Sequence, residues 1–219
     1  MASRGPGRRL YDLERRWRAH YNVAPDTPEM ARRARVYMRW FDHEILRHLW
    51  TNQHEVAPGV LRSNHPTEAR LARLARDGLR AVLTLRGKSP SAHNLLEQAQ
   101  CKALGLSLHA VALGTRRAPP REALIELIDI FRRIERPFLM HCKSGADRAG
   151  LASAIYLMVI EGRSLEEARR MLSLRYFHVR NSHAGELDRV LDGYARDGGG
   201  LSFEDWVRER YDPATLPPR

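Results

Sequence analysis

The sequence predicts an α/β protein with a central, mostly parallel sheet of four to five strands flanked by helices. Three observations predict it. Short β-rich apolar runs alternate with segments of helical period along most of the chain. One such run, Phe138-Leu139-Met140-His141, passes through a loop of small residues straight into an apolar helical pattern. At 219 residues, with 43% hydrophobic and 29% charged side chains, the chain has the length and composition of a globular unit with a substantial core.

The elements follow in order. The first eight residues are expected to be disordered, and the stretch to about residue 28 is arginine-rich and mixed. Ala31–Trp50 reads as one helix, with Val36, Met38, Trp40, Phe41, Ile45, Leu46 and Leu49 on its apolar positions. Val56–Arg62 is a short strand holding a Pro58-Gly59 turn. Pro66–Asp77 is a helix capped by Gly78. Ala81–Leu85 is a buried strand, 92–104 a helix, 106–113 a strand and 120–133 a helix. Residues 138–141 form the strand that feeds the loop. Helices follow at 148–161, at 164–174, where Ser164 and Glu167 make a capping box, and at 184–195. Three segments result: 1–50, a basic extension with a helix packed on the core; 51–196, the main domain; and 197–219, a C-terminal helix over 201–211 with a frayed tail.

The loop His141-Cys142-Lys143-Ser144-Gly145-Ala146-Asp147-Arg148-Ala149-Gly150 carries the chemistry. A helix N-terminus presents unpaired N–H groups and partial positive charge, and a loop curled over it makes an anion cradle. Gly145 and Gly150 permit the backbone angles and close approaches that such a loop needs. Arg148 offers a planar fork for two phosphate oxygens. Cys142 lies where this field is strongest, and a thiol there can ionise with a pKa as low as about 3.5–7.5. A thiolate facing bound phosphate can attack phosphorus. Lys143, Ser144, Ala146 and Asp147 complete the expected phosphate-binding set.

The spacing His-Cys-x5-Arg resembles the signature loop of cysteine-dependent protein tyrosine and dual-specificity phosphatases. The wording is closest to the small bacterial and atypical dual-specificity group, and it is also similar to the loop of tensin-type lipid phosphatases. Leu61-Arg62-Ser63-Asn64-His65-Pro66 and Leu79–Gly87 resemble the early part of that fold, so the similarity runs from about Glu55 to Tyr194. The resemblance implies a cysteine-phosphatase fold and hydrolysis of phosphate monoesters through a phosphocysteine, without metal or other cofactor. It implies as substrate a phosphorylated protein, a phosphoinositide or an inositol phosphate. By the same resemblance His141 orders and tunes the cysteine, and Lys143 favours polyanionic phosphate.

Two positions depart from the family pattern. The hydroxyl residue that usually follows the arginine is replaced by Ala149, which would slow breakdown of the intermediate. The loop that usually supplies a general acid corresponds to Leu113–Pro120, which holds no carboxylate and places Arg116 where tensin-type enzymes have Asp. Arginine donates no proton at neutral pH, but it can hold an acidic substrate. Asp147, at the offset of the loop Asp in myotubularin-like enzymes, is the candidate acid. Like charge from bound phosphate would raise its pKa. The alternative is that it only orients Arg148.

Two other function classes stay open on these residues: a phosphate-binding pseudophosphatase that docks a partner, and a sulfurtransferase of rhodanese type, whose loop is usually one residue shorter. The net charge of +11 attracts anionic partners of all kinds. No zinc-ligand spacing or nucleic-acid motif is present, and the histidines are scattered, so neither a metal nor a specific nucleic acid is expected. Peripheral contact of the basic 31–50 helix with anionic membrane is an alternative to its packing on the core. Two cysteines make no disulfide framework, although a reversible Cys101–Cys142 bridge is conceivable. With no secretory signal and no apolar run long enough to span a bilayer, the expected location is the cytoplasm. His178, Asn181, Ser182 and His183 are expected in a polar surface turn, the alternative being that they line the rim of the site or position water.

Overall fold

Residues 138–142 read Phe-Leu-Met-His-Cys, and all five are buried. Side chains alternate across a strand, and this one divides accordingly: Phe138, Met140 and Cys142 join one hydrophobic cluster, and Leu139 joins the other. A strand apolar on both faces belongs inside a parallel sheet covered by helices. The computed structural model, which describes residues 6–217, places it there.

The elements are α1 (Pro6–Tyr21), α2 (Pro28–Val36), a π-helical turn (Tyr37–Phe41), α3 (Glu44–Arg47), β1 (His54–Ala57), β2 (Val60–Asn64), α4 (Glu68–Arg76), β3 (Ala81–Thr84), α5 (Ala92–Ala103), β4 (Ser107–Ala110), α6 (Arg121–Arg133), β5 (Phe138–Cys142), α7 (Asp147–Val159), α8 (Leu165–Arg169), α9 (Asp188–Asp197) and α10 (Phe203–Glu209), with short 3-10 turns at Leu174–Tyr176 and His183–Glu186. The five strands lie in the order β1-β2-β5-β3-β4. β1 and β2 pair antiparallel, and the other neighbours are parallel. On one face, Leu124, Leu127, Ile128 and Phe131 of α6 and Leu151, Ile155 and Tyr156 of α7 form the larger core. On the other, Leu71, Leu74 and Cys101 from α4 and α5 pack on Val82 and Leu139. The expected α/β class and mostly parallel sheet are present, and the loop after β5 emerges at the carboxyl edge of the strands, where ligands gather in such folds.

Several elements differ from expectation. The single helix over 31–50 is broken. Asp42 closes the π-turn, its N–H donating to the Tyr37 carbonyl at 2.9 Å, and His43 takes a left-handed backbone with φ of 61°. The break turns the Asp42 carboxylate inward to buried arginines, a tertiary demand that helical period cannot show. Residues 6–8, expected disordered, begin α1; residues 1–5 lie outside the described residues. The strand expected over 56–62 is a hairpin pair around Pro58-Gly59. The helices expected at 164–174 and 184–195 form only over Leu165–Arg169 and Asp188–Asp197, with 3-10 turns at Leu174–Tyr176 and His183–Glu186.

The C-terminal tail is not frayed over its described part. Phe203, Trp206, Tyr211 and Leu216 belong to the larger core, Tyr211 Oη donates to the Pro119 carbonyl at 2.6 Å, and Arg189 donates to the carbonyls of Leu216 and Pro217. Cys101 and Cys142 are both free and buried in clusters on opposite faces of the sheet, which leaves no route to a bridge between them without disrupting the sheet. Among the described residues no helix is long and apolar enough to cross a membrane.

The C-terminal helix is therefore core. Trp206→Ala is expected to cost about 3–5 kcal/mol in urea unfolding. Leu49→Ala, at a side chain 91% exposed, is expected to stay within about 0.5 kcal/mol of the parent.

Candidate phosphate-binding site

β5 ends at Cys142 and α7 begins at Asp147, and the residues between them are tied down by their carbonyl oxygens. The His65 N–H donates to the Lys143 carbonyl at 3.3 Å. Asn52 Nδ2 donates to the Ser144 carbonyl at 3.1 Å. Arg62 Nη2 donates to the carbonyls of Gly145 at 2.7 Å and Ala146 at 3.0 Å. When four successive carbonyls are drawn outward, the intervening N–H groups turn to the concave side, the arrangement of an anion nest. One of them shows it directly: the Gly145 N–H donates to Cys142 Sγ at 3.2 Å.

Arg62 anchors this arrangement. It is buried on β2, two residues before Asn64, which pairs in register with Cys142. Its other amino group donates to the Met171 carbonyl at 2.8 Å, and its guanidinium lies 4.0 Å from the centre of the Tyr176 ring. Burial lowers its pKa to about 10, against the opposing charges of Cys142, Tyr176 and Asp147, so it stays a cation at neutral pH. Gly145 has φ of +76°, and a Cβ there would stand 2.5 Å from the Asn64 nitrogen. A Cβ at Gly150 would meet Leu172 Cδ2 at 2.7 Å and the Met171 carbonyl at 2.8 Å. Both glycines are required by contact.

Cys142 is only 1% exposed. It lies beneath a cleft of about 510 Å³ whose lining includes Lys143, Ser144, Asp147 and Arg148 from the loop and helix start, and Thr115 and Arg116 from the segment after β4. The site candidates that line the cleft are thus Lys143, Ser144, Asp147, Arg148 and Arg116. His141, Cys142, Gly145, Ala146, Ala149 and Gly150 are buried around it. Arg148 Nε is buried without a hydrogen-bond partner among the described residues, a donor whose need an oxyanion would meet. Ala149 is fully buried and offers no hydroxyl.

Three groups of side chains meet at the site in arrangements that the sequence did not reveal. Asp42, His43, Leu46, Arg47 and Trp50 from the N-terminal segment form one wall of the cleft. Asp42 is held by Arg86 at 2.7 and 2.8 Å and by Arg47 at 3.0 Å, with Lys143 Nζ at 3.8 Å. Burial raises its pKa, but the hydrogen bond and charge of Arg86, with Arg47 and Lys143, lower it overall, so it orders cations and holds no proton to give. The Asp42-His43 interruption of an apolar helical pattern was the available signal.

Second, His178 is 2% exposed, not on a surface turn, while Ser182 and His183 line the cleft as the alternative expected. Its Nδ1 lies 2.8 Å from Asp147 Oδ1 and its Nε2 lies 2.7 Å from Asp188 Oδ2. Burial lowers its pKa, yet hydrogen bonds to both carboxylates outweigh that and raise it to about 9.

Third, the histidines called scattered include two that meet behind the loop. His141 Nε2 lies 2.6 Å from Glu97 Oε1 of α5, and His65 Nδ1 lies 3.9 Å from the same oxygen. All three residues are buried, with possible ligand atoms within 4.8 Å of one another. Arg86 Nη1, however, stands 3.3 Å from His65 Nδ1, so a cationic guanidinium occupies that nitrogen's lone pair. The donor set fits a carboxylate–imidazole pair better than a divalent ion. His141 Nδ1 is 3.4 Å from the Cys142 carbonyl, so the ring is held beside Cys142.

A family model described as a DSP-PTPase phosphatase fused to NAD+ kinase matches residues 25–188. The dual specificity protein phosphatase TpbA of Pseudomonas aeruginosa (strain UCBPP-PA14) is 30% identical over 128 residues, 54% of each chain. The chain therefore spans about half the length of that curated relative. The crystal structure of P. aeruginosa TpbA superposes with a TM-score of 0.54 at 20% identity, covering 73% of this chain and 92% of that one. Tk-PTP in its active form gives 0.51 at 25% identity, over 65% and 97%.

Two outcomes are expected. Gly145→Ala, which forces backbone against backbone, lowers orthovanadate affinity at least about tenfold by fluorescence titration, the scale of a lost charge-assisted hydrogen bond. For His178 the folded pKa near 9 exceeds the unfolded value near 6.5. The stability it contributes is thus complete below about pH 6.5 and is lost as pH rises through about 9. In urea unfolding, the stability difference between the parent and His178→Gln narrows across that window.

Proposed function

Since the chain belongs to the DSP-PTPase phosphatases of the type fused to NAD+ kinase, we propose that it hydrolyses phosphate monoesters through a phosphocysteine on Cys142. The observation that carries this reading is the inward-turned loop, with the Gly145 N–H on the sulfur and four carbonyls tied away from it.

The thiolate of Cys142 attacks phosphorus from the floor of the loop. Inward N–H groups and the Arg148 fork stabilise the equatorial oxygens, where charge accumulates in the transition state. As the phosphorus–oxygen bond to the leaving group breaks, Asp147 protonates the departing oxygen. Water then attacks the phosphocysteine, Asp147 takes a proton from it, and the thiolate leaves. Ala149 supplies no hydroxyl to the departing sulfur, so this second step limits turnover. Lys143 and Arg116 hold further negative charge of the substrate at the cleft wall. No metal or cofactor enters the scheme, and an ionised thiol suits a reducing, cytoplasmic setting. TpbA is named a protein phosphatase, which makes phosphorylated protein the first class to test, ahead of phosphoinositides and inositol phosphates.

A second reading, a phosphate-binding docking module, is favoured by Ala149 and by the depth of the sulfur below the cleft lining. Rapid mixing with 4-nitrophenyl phosphate separates the two: a burst followed by steady turnover marks the enzyme, and neither phase marks the docking module. Cys142→Ser is expected to lower kcat/KM at least about a thousandfold, in line with loss of a nucleophile, while orthophosphate binding persists. Undiminished hydrolysis by that variant would falsify the phosphocysteine.

A further inference from the structure

Asp188, His178 and Asp147 form one line that starts behind the cleft and ends at its wall. Asp188 opens α9, Asp147 opens α7, and the imidazole stands between them with contacts of 2.7 and 2.8 Å. Each ring nitrogen faces a carboxylate oxygen. A neutral imidazole has one N–H and a carboxylate has none, so both contacts are hydrogen bonds only when the line holds one additional proton. Each carboxylate also sits in the first turn of a helix, where negative charge is favoured, and this places the proton on the ring. His178 is nearly sealed from solvent, while Asp147 lines the cleft. The proton therefore has a buried store and an outlet at the wall of the phosphate site.

We propose that Asp188 and His178 are positioning residues of a proton relay, in which His178 resupplies Asp147 with the proton it delivers to the leaving oxygen. This rests on the phosphocysteine reading above. It answers a difficulty within that reading: an ionised Asp147 has no proton of its own to donate. In the first step, His178 Nδ1–H passes its proton to Asp147 Oδ1, and the carboxyl so formed gives it to the leaving oxygen and returns to carboxylate. The thiolate's electron pair forms the sulfur–phosphorus bond, and the leaving oxygen keeps the pair of the broken bond. The ring ends neutral, with Nε2–H held by Asp188. In the second step, water attacks phosphorus, its proton passes through Asp147 back to His178, and the sulfur departs with its electron pair. Orthophosphate is released, and the line regains its starting charge.

The charged groups around the ring are consistent with a proton held there yet released during the reaction. Asp147 and Asp188 face it from α7 and α9. Arg169 of α8 and Arg180 of the ring's own segment lie nearby, and both are engaged by Asp192 at 2.7 Å. Arg62 of β2 interacts with Asp147. Asp147 thus has a second cation beside it, while Asp188 is paired with the ring itself.

The test uses the full chain and a series of substituted phenyl phosphates running from 4-nitrophenyl to unsubstituted phenyl. A good leaving group needs no proton and a poor one does. His178→Gln is expected to lower kcat/KM for phenyl phosphate about 100-fold and for 4-nitrophenyl phosphate less than about tenfold, the range of one general acid. Asp188→Asn is expected to show the same pattern more weakly. The alkaline limb of the parent's profile on phenyl phosphate, set near pH 9 by the ring, moves down toward the carboxyl range in His178→Gln. Equal losses on both substrates, or an unmoved limb, overturn the relay and leave His178 as scaffold. Should either variant fail to fold by circular dichroism, the parent's own profile on phenyl phosphate decides: an alkaline limb near pH 9 supports the ring as the store of the delivered proton, and a limb in the carboxyl range overturns it. A parent that shows no burst with 4-nitrophenyl phosphate overturns the phosphocysteine reading, and the relay falls with it. A parent burst with flat leaving-group dependence in His178→Gln removes the relay alone.

Discussion

Everything at the site depends on one buried guanidinium. Arg62 holds the carbonyls of Gly145, Ala146 and Met171, and in doing so decides which way the loop amides point. Peptide groups are rigid planes, so pulling a carbonyl to one side sends the neighbouring N–H to the other. An arginine with no acceptors left would be costly to bury. Here the loop is the acceptor, and charge-assisted bonds to backbone oxygen are among the stronger contacts available. The glycines follow from the same constraint. With the loop drawn against Ser63 and Asn64, there is no room for a Cβ at Gly145.

Around this anchor the cleft gathers more cations than a small surface would tolerate without compensation. Arg47, Arg86 and Lys143 converge on Asp42, and the acid that keeps them together comes from the N-terminal segment. Removing one partner from such a buried cluster leaves a charge without compensation, which costs more than the pair contributes. The N-terminal segment thus serves as more than a cover. It carries the counter-charge that lets the floor of the site remain basic, and it also supplies Leu46 and Trp50 as apolar wall.

Much of this was legible in the sequence, and what was not has a common cause. The strand, loop and helix from Phe138 to Val159 are set by neighbours in the chain, so apolar runs, glycine placement and the cysteine–arginine spacing reveal them. Ser164 and Glu167 announced their capping box for the same reason, and the structure contains it. Asp42, Glu97, His178 and Asp188 act on partners that are distant in sequence, or on a backbone break that only those partners justify. Nothing in the local pattern around His178 separates a buried cation from a surface turn. The helix over 31–50 failed likewise: its apolar period is real, but the pull of Arg86 on Asp42 interrupts it.

His141 and Cys142 are consecutive residues on one strand, so they look to opposite sides of the sheet. The sulfur belongs to the layer of α6 and α7, and the imidazole next to it meets Glu97 in the layer of α5. The sheet is a partition with the loop and its cleft on one side and the His141–Glu97 contact on the other. Drift in the packing of the rear helices therefore reaches the Cys142 sulfur through a single peptide unit, and any redesign of that rear surface inherits an obligation to the front.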